Sequence, residues 1–200
     1  MHPGNATWAY ARILFWTILL TLPPASNAQI GFTGGTVFHH WMGFQPAAAL
    51  AGVDWNTPHI SNTLWWSPSV KEYVGNGWTA WEQGAAYLNR GTFGIGPGVL
   101  VRYTSNSQYT KTSLYPSFAM QCRTTKWRVE AFVHLRDQWT QNHGRGASLV
   151  VRRELMALRD RFSVALRAEF TAMRFSDGLA NPYGTVTQAG FVLYRRAQPR

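Results

Sequence analysis

The residues best placed for chemistry are three Arg-x-Glu pairs, Arg128/Glu130, Arg152/Glu154 and Arg167/Glu169, with His134 between the first two. An Arg and a Glu two positions apart leave an extended strand on the same side, so each pair can neutralise itself on one face. Such pairs serve two ends. They satisfy each other inside a dry interior, where an unpaired charge is very costly, or they line a narrow polar path. The first is the simpler use and is the one expected here. His134 shares the charged face, where a buried, hydrogen-bonded imidazole is expected. His39 and His40 are adjacent, point to opposite sides of a strand, and cannot give two metal ligands from one face. No Cys-x-x-Cys pair, Gly-rich phosphate loop or His-Glu-x-x-His sequence occurs, so no metal and no cofactor is expected.

The elements that must position these charges are three runs, Trp127 to Arg136, Leu149 to Leu158 and Phe162 to Met173. Each alternates apolar with polar residues, the period of a β-strand with two unlike faces. One face carries Trp127, Val129, Ala131, Val133 and Leu135, then Leu149, Val151, Leu155 and Ala157, then Phe162, Val164, Leu166, Ala168, Phe170 and Ala172. The other carries the ion pairs, His134, Arg136 and Ser163. With Asp160 and Arg161 as turn residues, Glu154 lies opposite Arg167 and Arg152 opposite Glu169. Moving the turn back one residue would set Arg152 against Arg167, and facing like charges are penalised, so charge selects the first register.

Residues 1–28 read as a cleavable export signal. Ile13 to Leu22 is an apolar run too short to span a bilayer as a helix, and Pro23-Pro24 and Ser26-Asn27-Ala28 complete a signal-peptidase site before Gln29. Cys122 is the lone cysteine, which excludes an internal disulfide. Without Arg12 the chain keeps 18 Lys plus Arg against 9 Asp plus Glu, a net of +9. In an exported chain that balance suits anionic lipid headgroups and lipopolysaccharide phosphates, for which Arg offers planar, bidentate donors. Nucleic acid is not expected as a partner, because no basic helix or basic run occurs.

Before the three runs, Gln29 to Met42 and Ala47 to Trp55 read as strands, Asn56-Thr57-Pro58 as a turn, and Ile60 to Tyr73, interrupted by Pro68, as an edge, a bulged strand or a loop. Trp78 to Arg90, Thr92 to Thr104, Ser113 to Arg123 and Gly184 to Arg196 are further strands. The connections alternate short with long, and both chain ends fall on the short side. That requires an even strand number, about eight strands, or ten.

In pattern, residues 29–196 resemble the small outer-membrane β-barrel proteins of the OmpA/OmpX type, including a final Gly-Phe-Val-Leu-Tyr-Arg strand. The resemblance implies an all-β, closed, antiparallel up-and-down transmembrane barrel over residues 29–200, monomeric, in the outer membrane of a Gram-negative-type bacterium. Its interior would be filled by the Arg/Glu pairs, and its role would be structural, adhesive or that of a narrow pore. Aromatics near the strand ends (Trp127, Trp139, Phe162, Phe175, Tyr183, Tyr194) fit interfacial girdles. Two features depart from the type: the chain runs on to Arg200, and Arg153 falls on the lipid side, where it is expected near a rim.

Two alternatives carry different functions. His59-Ile60-Ser61-Asn62, with Glu72 downstream, is similar to the His-x-Ser-Asn motif of the lipid A deacylases, themselves outer-membrane barrels. That likeness implies Ser61 as nucleophile, His59 as general base and Glu72 as its orienting acid. In that family the motif lies near the carboxyl terminus, whereas here most of the barrel follows it; a polar turn is the stronger reading, and no enzyme activity is expected. The other alternative is a soluble periplasmic barrel that binds a small apolar ligand, with Val164, Leu166 and Phe170 turned inward.

Overall fold

The computed structural model describes residues 29–41, 48–68, 78–105, 110–136, 145–158, 162–174 and 183–195. These form eleven strand segments: β1 (Gln29–Trp41), β2 (Ala48–Asn56), β3 (Ile60–Pro68), β4 (Trp78–Ala86), β5 (Leu88–Arg90), β6 (Phe93–Ser105), β7 (Thr110–Arg123), β8 (Trp127–His134), β9 (Arg145–Leu158), β10 (Phe162–Arg174) and β11 (Tyr183–Arg195). Segments β4 and β5 are one stave interrupted at Tyr87, since both pair with β6. Every neighbour is antiparallel, β1 pairs with β11, and β4 with β6 closes the ring. The result is a closed barrel of ten staves, the larger of the two expected sizes. Among the described residues closure leaves an open edge only on short stretches such as β5, which pairs with β6 alone.

Gln29 pairs with Asn56 and Ile30 with Arg195, so the first residues, the last strand's end and the β2–β3 turn share one end of the barrel. The turns at Gly91-Thr92 and at Thr124–Lys126 lie there too. Gly91 has φ 62, the left-handed conformation that a two-residue turn exploits. The longer connections leave from the opposite end. The expected alternation of short and long connections therefore holds.

Two details differ from the expectation. Residues 60–68 form a stave paired on both sides, not an edge, with Pro68 as the last residue of β3; residues 69–73 of that stretch lie outside the described residues. In β9, Leu155 is an extra residue: Val164 faces Met156 but Ala165 faces Glu154. This bulge, together with a connection one residue longer than expected, sets Arg152 opposite Arg167, and Glu169 opposite Val150. The charge argument thus chose the wrong register. The first pair of the hairpin, Leu158 with Phe162, leaves three residues between the strands where two were expected; these, 159–161, lie outside the described residues.

Along β10 exposed and buried positions alternate, and the apolar residues are the exposed ones. Leu166 and Phe170 are 40% and 47% exposed, while Arg167 and Glu169 between them are buried. The soluble alternative, with those apolar residues as the core, has the faces inverted. The same sense holds around the ring, where Phe32, Leu64, Phe118, Leu149 and Phe191 face outward. Trp127 and Phe162 lie on this outer face as expected of a girdle; Tyr194 is buried inside instead. Arg153 is exposed, and its guanidinium lies 5.0 Å from the Trp127 ring beside the first residue of β8, in keeping with a place near the rim.

The interior has two parts. In the half nearer the long connections, Val37, Leu50, Trp65, Trp81, Leu100 and Tyr115 pack together, with Trp65 and Trp81 stacked at 5.4 Å. The half nearer the tight turns holds the buried charges, with smaller apolar clusters such as Ala165, Val192 and Tyr194 beside them.

Candidate functional site

The polar half is built around arginines standing abreast. Register places Arg123 beside Arg128, Arg128 beside Arg152, and Arg152 beside Arg167, one from each of β7, β8, β9 and β10. Side by side, such a row would be repulsive. Carboxylates displaced along the strands, and one from across the lumen, offset it.

Asp54 is the one from across the lumen. It is fully buried on β2 and accepts from Thr33 Oγ1 at 2.9 Å, from Thr63 Oγ1, and from Arg152 Nη2 at 3.2 Å, with Arg167 Nε at 3.8 Å. Glu130 accepts from Arg152 Nη1, lies 3.2 Å from Arg128 Nη2, and accepts from Tyr87 O–H at 2.8 Å. Glu169 accepts from Arg167 Nη2 and from Thr171 Oγ1 at 3.1 Å, while Arg167 Nη1 donates to Gln188 Oε1 at 2.9 Å. Three guanidinium groups face three carboxylates, and charge inside the network balances.

Of the six residues expected as interior ion pairs, Arg128, Glu130, Arg152, Arg167 and Glu169 are in this network. Glu154 is half-buried at the tight-turn end, and Arg152 pairs with Glu130 and Asp54. Two of the three expected local pairs, Arg128/Glu130 and Arg167/Glu169, do form within one strand. The alternation pattern alone misses Asp54, Tyr87 and Gln188. A signal for Asp54 is present in the sequence: Leu50, Gly52, Asp54 and Asn56 share one strand face, and an acid midway along it needs a partner that its own strand does not supply.

His134 is buried and doubly bonded, with Nδ1 2.7 Å from Ser117 Oγ and Nε2 2.6 Å from Ser148 Oγ. Ser148 in turn meets Thr171 at 2.7 Å, which joins the histidine to Glu169 and so to the arginines. A continuous polar chain therefore runs from β7 to the tight-turn end, where Arg128 Nη1 donates to the Thr57 carbonyl at 3.2 Å.

The hydrolase candidates His59 and Ser61 both lie beside Tyr87. His59 lies just before β3, with Nδ1 3.4 Å from the Tyr87 carbonyl and 3.2 Å from Asn89 Nδ2. Ser61 is buried with Oγ 3.4 Å from Tyr87 O–H, on the path to Glu130. Glu72 lies outside the described residues. His39 and His40 are on β1. Among the described residues no group of His, Cys, Asp and Glu is arranged to hold a metal ion.

No protein-family model matches this chain, and no curated protein matches it. Among solved structures it is similar to the outer membrane protease OmpT of Escherichia coli, at 9% identity over 88% of this chain and 97% of that one, with a TM-score of 0.40. A likeness of that degree carries no inference about activity.

Proposed function

We propose that this chain is an integral outer-membrane barrel with a closed lumen and a structural or adhesive role, its long connections directed away from the periplasm. The observation that carries this reading is the inversion of faces: bulky apolar side chains cover the outside while six charged groups are buried within. Water outside would make that arrangement unfavourable, since large contiguous apolar surfaces are rarely left wet. Lipid outside makes it favourable, because closure pairs the backbone groups of neighbouring strands with one another. The tight turns then face the periplasm, and residues 1–28 serve as the export signal. Lipid and lipopolysaccharide are the partners, with Arg153 over Trp127 suited to an interfacial position.

Two interior layers support the reading of a closed lumen. The Trp65/Trp81 layer fills one half, and the arginine–carboxylate network spans the other. The test is fractionation of expressing cells, gel migration with and without boiling, and planar-bilayer conductance. The reading expects a heat-modifiable species in the outer-membrane fraction with no steady conductance. A soluble species with unshifted migration would overturn it.

A further inference from the structure

The tight-turn end of the barrel holds a cleft of about 90 Å3, bounded by Asn56, Arg123, Arg128, Arg152, Glu154 and Tyr194. A single water needs roughly 10–15 Å3 of such space, so the cleft takes a group of a few heavy atoms. Asn56 and Tyr194 are 4% and 6% exposed, yet among the described residues neither amide atom of Asn56 and not the Tyr194 hydroxyl has a hydrogen-bond partner. The Nε atoms of Arg128 and Arg152 are likewise unpartnered. Buried polar groups are nearly always satisfied, so this concentration calls for an occupant.

The kind of occupant follows from the chemistry of the orphans. Asn56 Nδ2, the Tyr194 hydroxyl and both guanidinium Nε groups are donors, against the single obligate acceptor Asn56 Oδ1. The complement is a ligand made mainly of acceptors. Charge points the same way. Asp54, Glu130 and Glu169 match Arg128, Arg152 and Arg167 one for one, which leaves Arg123 at the end of the arginine row with no carboxylate within ion-pair distance among the described residues. Lys126 adds a second cation to the cleft wall, and Glu154 is the acid that opposes them.

We propose that this cleft binds a small oxyanion, a phosphate or a carboxylate, held by the Asn56 amide, the Tyr194 hydroxyl and the guanidinium groups of Arg123 and Arg128. Charge-assisted bonds from planar guanidinium groups are the strong ones for such a ligand. Bound there, the anion caps the arginine row and ties the end of β2 to the ends of β7 and β8.

The test is calorimetric titration of the folded full chain in dodecyl maltoside, first with inorganic phosphate, then with acetate, then with dihexanoylphosphatidylglycerol. One saturable anion per barrel is expected, weakened about tenfold or more in Arg123→Gln and in Asn56→Leu. Arg123 is half-exposed and outside the balanced network, so Arg123→Gln decides if Asn56→Leu fails to fold, with heat-modifiable migration as the check on each. Competition by the short-chain lipid would identify a headgroup phosphate as the source, and binding of the free anions alone a soluble one; both support the site. No binding by any of the three, or binding unchanged in Arg123→Gln, would overturn it.

Discussion

Arg152 and Arg167 stand directly opposite each other on β9 and β10, and the carboxylate that reconciles them, Asp54, comes from the far wall of the barrel. Closure makes this possible. In an open sheet a charge must find its partner along its own strand or across to the next. In a barrel the lumen brings strands that are remote in the ring within reach, and like charges abreast are tolerated because a shared counter-charge sits between them.

Removing that counter-charge is therefore expected to be severe. Asp54→Ala leaves three buried guanidinium groups with two carboxylates, and breaking a buried pair from one side costs about 3–5 kcal/mol. Arg152→Met added to Asp54→Ala restores balance and is expected to recover part of that loss. Glu154→Ala, at a half-buried position, is expected to cost clearly less than Asp54→Ala. Urea unfolding in lipid vesicles, followed by tryptophan fluorescence, measures all three variants against the parent chain.

Tyr87 interrupts the fourth stave and donates to Glu130. Tyr87→Phe removes one bond from a carboxylate that keeps two arginines, so a loss of about 1–3 kcal/mol is expected in the same unfolding assay, with migration on unboiled gels unchanged. A loss as large as that for Asp54→Ala would mean that Tyr87, and not the arginines, holds Glu130.

The seam where the chain closes on itself depends on two facing glycines, Gly35 and Gly190. A Cβ at Gly190 would lie 2.4 Å from the Gly34 carbonyl oxygen, too close for backbone to accommodate without moving. Gly190→Ala is expected to destabilise by about 1–3 kcal/mol, the usual range for overpacking. Gly34→Ala, where nothing lies within 4 Å, is the control and is expected to be neutral.

The outer face predicts a depth dependence. Leu166→Arg puts a charge on the apolar face of β10 and is expected to cost about 2–4 kcal/mol in vesicles if that position is at mid-depth. Arg153→Leu is expected to change stability by a fraction of that, through loss of its place over Trp127, near the rim.

Much of this was legible in the chain because period-two alternation is local. The outer face from Trp127 to Ala172, the tight-turn end and the buried His134 all follow from residues read one strand at a time. What was not legible depends on distance in sequence. The register of β9 on β10 turns on the bulge at Leu155, which no residue type announces, and on Asp54, nearly a hundred residues before Arg152. The charge rule failed there because it weighed only adjacent strands. Strand number was ambiguous for a related reason: Pro68 marks the end of β3, but in the sequence it looks like an interruption.

The central claim is that the apolar face of the sheet meets lipid and the charged face is enclosed. The direct measurement is a nitroxide scan along β10, Phe162 to Arg174, one cysteine at a time in a Cys122→Ser background, with the protein in vesicles. Oxygen, which partitions into lipid, should relax the label strongly at Leu166, Ala168 and Phe170 and weakly at Ala165, while a water-soluble nickel chelate should reach none of these four. Strong relaxation by the chelate at Leu166 and Phe170 would contradict the account, because those side chains would then face water.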